Sequence, residues 1–208
     1  MPLYTSLRYV RRWIKRLLLL LLSSDLSLCG INLRRVRRSL DSLSAATLVH
    51  AFLSSHVDYC NAVFAGAPKT ITDRLQRVLN AAARVVSDTR KFDRGLSRIM
   101  HTELHWLDVP ERINYKFGML MYRCQHNKAP RYLTDHCTSV SAVAYRQPLR
   151  SASSHEVSVP PAQYLYGRRA FAVAGPTVWN SLPEDLRDPG VSEDSYRQSL
   201  KTFLFSQY

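Results

Sequence analysis

The stretch TITDRLQRVLNAAARVVS, residues 70–87, decides the fold class. Counting from Ile71, the apolar residues Leu75, Val78, Leu79, Ala82, Val85 and Val86 fall at offsets of 4, 7, 8, 11, 14 and 15. That is one unbroken stripe along a helix. Arg74, Arg77 and Arg84 lie off the stripe, on the side the sequence predicts to face water.

The same period appears on both sides of this stretch. Asp108-Val109-Pro110-Glu111 is a helix start, with an acid to cap, a proline in the first turn and a glutamate three residues after the cap. Ile113, Phe117, Leu120, Met121 and Cys124 then continue a stripe to about Asn127. A brief helical turn is predicted over 130–136 and a short helix over 94–101. Toward the N-terminus, Asp41 and Ser42 can cap a helix over 44–64, which Gly66 and Pro68 end. Residues 31–40 read as a short, strongly basic helix on Leu33, Val36 and Leu40.

The period fails from 138 to 163, where Pro148, Pro160 and Pro161 interrupt. Loop is expected there, with short extended pieces near Leu149–Ser151 and Val157–Val159. Residues 164–183 are aromatic and follow no clear pattern. A last helix follows, capped by Ser192 or Asp194, with Tyr196, Leu200, Phe203 and Leu204 on its apolar side. The fold class expected is therefore mainly α. It is a small helical bundle with a long irregular segment at about 138–190 and a terminal helix. Its parts are a basic, leucine-rich N-terminal helix (1–29), a helical region (30–90), a second helical region (91–137), and an irregular segment plus terminal helix (138–208). The helices at 70–87 and 109–127 are expected to bury their stripes on each other and on the terminal helix. That gives a core over 44–137 and 192–206.

Composition sets the class of partner. With 46% hydrophobic and 22% charged residues, the 208-residue chain has ordinary globular usage. Its 29 Lys and Arg against 16 Asp and Glu give a formal charge of +13. More than half of the excess lies in residues 1–40, where Asp25 is the one acid. Such an arm suits polyanions, either nucleic acid or an anionic membrane surface reached through residues 1–22. Cys29, Cys60, Cys124 and Cys137 are too few for a disulfide scaffold. Reduced thiols in a cytoplasmic or nuclear protein are the simplest expectation. The basic lead before Leu17–Leu22 has features of a mitochondrial or secretory address. An amphipathic basic helix is the plainer reading, and the leucine run is too short to span a bilayer.

Catalytic motifs are missing from the chain. It has no Walker loop, dinucleotide fingerprint, nucleophile elbow, H-E-x-x-H or Asp-Asp pair. Glu184-Asp185 and Glu193-Asp194 sit at expected helix starts, where they serve the dipole. His101 with His105, and Cys124 and His126 with His136 and Cys137, are the metal candidates by residue type. Neither has a standard ligand spacing, so no metal and no cofactor is expected. Arg90, Lys91, Arg94 and Arg98 are diluted by Asp88 and Asp93 and read as a solvated face. Arg168-Arg169 beside Tyr164, Tyr166 and Phe171 suits either base stacking or an aromatic core. The best candidate is Arg34, Arg35, Arg37 and Arg38, four guanidiniums with no acid nearby before Asp41. Backbone phosphates are their natural counter-charge.

Several runs in a fixed order carry a family resemblance. They are LRRVRRSLD (33–41), LVHAFLSSHVDYCNAVFAGAP (48–68), LQRVLNAAARVV (75–86), LHWLDVPERINYK (104–116), APRYL (129–133), LRSA (149–152), YGRRAFAVAGPTVWNSLPEDLR (166–187) and SLKTFLF (199–205). Over residues 28–208 the chain resembles the region downstream of the catalytic core in non-LTR retrotransposon reverse transcriptases, of the jockey-like and chicken-repeat-like kinds. The resemblance implies that residues 31–90 form a helical thumb, which in that class grips the template–primer duplex. Arg34, Arg35, Arg37, Arg38, Arg74 and Arg77 are then the phosphate-contacting positions. It also implies that the polymerase's metal-binding Asp pair lies upstream of the matched region, so this chain is expected to be no enzyme. Residues 1–27 depart from the family. The leading expectation is a non-catalytic fragment of an RNA-directed DNA polymerase that binds RNA or RNA–DNA duplex. The alternatives are a membrane-surface or organelle-targeted helical protein directed by residues 1–29, and a translated remnant without selected function.

Overall fold

The structure is a computed structural model, and it describes residues 37, 39–51, 55–59, 61–90, 92–140, 155–161 and 169–208. Over these residues the protein is mainly helical, as its periodicity predicts. The expected basic N-terminal helix and the extended piece at Leu149–Ser151 lie outside the described residues. None of the described helices is long and apolar enough to cross a membrane. The chain forms two compact units. The first holds residues up to Tyr59 and Thr70–Trp106, and the second holds Cys60–Lys69 and Leu107–Tyr208.

In the first unit, α1 spans Ser42–Val49 and α2 spans Ser55–Tyr59. The Asp41 carboxylate caps α1 by accepting from the Ser44 N–H at 3.3 Å. Hydrogen bonds from Ser44 hold that carboxyl below its usual range. Helix α3, Lys69–Ser87, buries Leu75, Leu79, Ala82, Val85 and Val86 of the stripe seen in the sequence, with Ala83 beside them, and leaves Ile71 and Val78 half-buried. Val49 of α1 packs with Ala82, Val85 and Val86, and Leu104 and Trp106 flank this cluster. The helix stops where Asp88 turns left-handed at φ +54° and the Ser87 hydroxyl bonds back to the Ala83 carbonyl at 2.8 Å. The short helix α4, Leu96–Arg98, runs into a π-helical turn over Ile99–Glu103.

One correction concerns the helix expected over 44–64. Asn61–Phe64 is a separate 3-10 turn, and it belongs to the second unit. There the buried Asn61 side-chain amide donates to the Arg112 carbonyl at 3.2 Å, and Phe64 is buried. Tertiary burial, rather than helical period, sets the conformation of these residues.

The second unit is built on α5, Val109–Gln125. Its start lies at the predicted Asp-Val-Pro-Glu, but the Asp108 side chain makes no cap hydrogen bond. Pro110 sits in the first turn, and the Asp108 N–H donates instead to the Tyr208 hydroxyl at 2.8 Å. Helix α6, Arg131–Thr134, follows, then α7, Phe171–Asn180, and α8, Glu193–Phe205, which Ser192 caps. Both α7 and α8 pack on α5.

The largest correction falls on the segment expected to be irregular over 138–190. Its later part holds α7 and a 3-10 turn, Glu184–Leu186. It supplies Trp179, Leu182 and Leu186 to the core of the second unit, with Val157 from the expected extended piece. A core over 44–137 and 192–206 omits these residues. The Asn180 side-chain amide pairs with the Val157 backbone in both directions, at 3.0 and 2.8 Å. On its other edge Val157 forms an isolated antiparallel bridge with Ser139. The Trp179 indole N–H donates to the His155 carbonyl at 2.9 Å.

Three cations converge on Glu193 at the start of α8. Arg123 lies 2.9 Å from the carboxylate, Lys128 3.2 Å and Arg197 3.8 Å. The hydrogen bonds from Arg123 and Lys128 hold this carboxyl below the usual glutamate range.

Two outcomes follow from this packing. Trp179→Ala should cost about 3–5 kcal/mol, read as a lower urea midpoint, because it empties a fully enclosed site and orphans a carbonyl. Glu193 has a lowered pKa in the folded state, so its contribution is present above the unfolded value of about 4.3. That contribution is lost as pH falls through the lowered value. Glu193→Gln should flatten this part of the dependence of Tm on pH, measured by circular dichroism from neutral pH downward.

Candidate nucleic-acid interface

The solvent face of α3 is the best-defined cationic surface among the described residues of the first unit. The buried stripe fixes which way the helix is turned, and Arg74 and Arg77 stand exposed on the opposite side. Arg84, two turns further on, is half-buried. Positions 74, 77, 81 and 84 are three and four apart and share one face, which Ala81 leaves low between the guanidiniums. From 74 to 84 the face is about 15 Å long. Arg77 donates its Nε to the Asp73 carbonyl at 3.3 Å and remains exposed. Asp73 borders the face at its beginning and Asp88 at its end. Among the described residues no carboxylate forms an ion pair with Arg74, Arg77 or Arg84.

The structure separates the six sequence-predicted arginines. Arg34, Arg35 and Arg38 lie outside the described residues. Arg37 is half-buried and engaged with the protein itself. Its Nη1 donates to the Leu40 carbonyl at 2.7 Å, and its Nη2 reaches the Val86 carbonyl at 3.5 Å. Its Nε is buried without a partner. Arg37 thus satisfies a carbonyl near the C-terminal end of α3, where a cation also meets the negative end of the helix dipole. Arg74 and Arg77 are the two candidates that present free charge.

The other sequence candidates resolve as follows. The group around Arg90, Arg94 and Arg98 is exposed, and the exposed Asp93 carboxylate accepts from the Arg90 N–H at 2.8 Å. Phe171 stacks on Phe117 with centroids 6.2 Å apart, which puts it in the core rather than on a base-stacking surface. Tyr164, Tyr166 and Arg168 lie outside the described residues. Both ring nitrogens of His126 face carbonyls, those of Tyr122 at 2.8 Å and Pro189 at 3.1 Å. Among the described residues no group of three or more His, Cys, Asp or Glu could hold a metal ion. Sequence reading also missed the cations gathered on Glu193, because only the i,i+4 spacing of Glu193 and Arg197 shows in the chain order.

The chemistry available at this face is charge neutralisation. Guanidiniums fit phosphate oxygens bidentately, and a helix side offers no base-edge readout by itself. Arg37→Ala should destabilise the first unit by about 1–2 kcal/mol in urea denaturation, through loss of its carbonyl contacts. Arg74→Ala should leave the midpoint nearly unchanged, since that side chain is exposed. Comparisons with protein-family models, with curated proteins and with solved structures each find no match.

Proposed function

We propose that this chain is a non-catalytic nucleic-acid-binding protein, a thumb-and-beyond fragment of a retrotransposon RNA-directed DNA polymerase. It binds RNA or RNA–DNA duplex through basic helices. The observation that carries this reading is the cationic side of α3, with Arg74 and Arg77 exposed and no paired acid among the described residues. The same helix carries LQRVLNAAARVV, one of the runs on which the family resemblance rests. Binding proceeds by phosphate contact and release of counterions, so affinity falls with salt and depends little on sequence. The basic run Arg34, Arg35 and Arg38 contributes to phosphate binding through its charge.

The test is fluorescence anisotropy on a short RNA–DNA hybrid over a series of salt concentrations. The wild-type chain should bind at low salt, with log affinity falling linearly against log salt. Arg74→Ala with Arg77→Ala should weaken binding evenly across sequences and flatten the slope by about 1 for each arginine. A folded chain that fails to bind at low salt, or a double variant with an unchanged slope, overturns the assignment.

A further inference from the structure

Beyond Arg77 the cationic side of α3 carries a second group of donors, which the arginines named from the sequence leave out. Asn80, Ala81 and Arg84 follow Arg77 by three, four and seven positions, so they continue the same side of the helix. Arg84 is half-buried. Its Nε is enclosed and has no hydrogen-bond partner, whereas its terminal nitrogens are neither enclosed nor bonded to a described residue. Helical side chains lean toward the N-terminus of their helix, so position 84 covers the surface over Asn80 and Ala81. Ala81 is exposed and presents only a methyl group, which leaves a step in that surface. The half-buried Asn80 borders the step. The Gln76 side-chain amide donates to the Asn80 Oδ1 at 3.0 Å. That bond occupies the acceptor end of the Asn80 amide and turns its Nδ2 donors away from Gln76. Nδ2 is likewise neither enclosed nor bonded to a described residue. Asp73 and Asp88 lie outside the step, eight and seven positions from Ala81, and neither pairs with Arg84.

We infer that Arg84 and Asn80 form a seat for one backbone phosphate over Ala81, on the same side of α3 as Arg74 and Arg77. It rests on the nucleic-acid reading of α3 and adds a contact to it. The ligand is a phosphodiester group of RNA or of an RNA–DNA duplex. Its oxygens take charge-assisted bonds from the Arg84 terminal nitrogens and a further bond from the Asn80 Nδ2. Half-burial already restricts the Arg84 side chain, so binding costs it less rotamer freedom than it costs the exposed Arg74 and Arg77. Ala81 contributes by being small, since a larger side chain there stands where the phosphate lies. From Arg77 to Arg84 the helix rises about 10 Å. Arg77 also donates back toward Asp73, away from the step. The seat at Arg84 therefore holds a different phosphate from the one that Arg77 contacts.

The full chain is tested by fluorescence anisotropy on a short RNA–DNA hybrid over a salt series, with circular dichroism as the check on folding. Ala81→Leu keeps the net charge and suits an exposed helix position. It should weaken binding about tenfold at fixed salt, the size of one lost charge-assisted contact. It should also flatten the slope of log affinity against log salt by about 1, as the loss of one phosphate contact does. Arg84→Ala should have the same two effects. If Ala81→Leu binds with wild-type affinity and slope, the seat is overturned. The reading of α3 as a nucleic-acid surface then still stands, provided that Arg74→Ala with Arg77→Ala weakens binding. A folded wild-type chain that fails to bind at low salt overturns both.

Discussion

Gly118 and Gly175 set how closely α7 and α8 lie on α5. A Cβ at position 118 would come within 2.8 Å of the Leu200 side chain and 3.2 Å of the Tyr196 hydroxyl. One at position 175 would meet the Met121 sulfur at 2.8 Å. Small residues at both contacts let the backbones approach and the large neighbours interlock. Tyr196 then reaches across to donate to the Gly118 carbonyl at 3.1 Å and stacks on Tyr122 at 4.4 Å. Burial raises the pKa of the Tyr196 hydroxyl, so it stays a donor at neutral pH. Tyr122 in turn donates to the Val191 carbonyl at 2.6 Å, just ahead of the Ser192 cap of α8. Trp179, Val157, Met121 and Tyr196 belong to the same buried core.

The arginines show how context divides one residue type into different roles. Arg37 serves backbone carbonyls of the first unit, and Arg123 serves Glu193 in the second. Arg74 and Arg77 are left to solvent because the buried stripe of α3 turns them outward. A bare count of positive charge does not separate these roles. What separates them is whether the terminal guanidinium nitrogens already donate to a fixed acceptor: those of Arg37 and Arg123 do, whereas Arg77 donates its Nε to the Asp73 carbonyl of its own helix.

The long helices were legible in the order of residues. The stripes of α3, α5 and α8 have the helical period, Pro110 and Ser192 mark the beginnings of α5 and α8, and Asp41 marks that of α1. Helix α7 was not legible, because Phe171–Asn180 is apolar on most sides and carries Pro176 inside. Burial among α5 and its neighbours outweighs the proline's cost there. Of the candidate interface, the outward position of Arg74 and Arg77 was readable from the stripe. The engagement of Arg37 was not, because Val86 is 49 residues away along the chain.

The sequence by itself determined the helical class, the places where the main helices begin, and the basic side of residues 70–87, since each depends on neighbours within a turn or two. Only the tertiary structure decided that residues 60–69 join the later unit, and that Val157, Trp179, Leu182 and Leu186 supply its core. These outcomes depend on burial between segments far apart in the chain, and no local period encodes which distant surface a segment will cover.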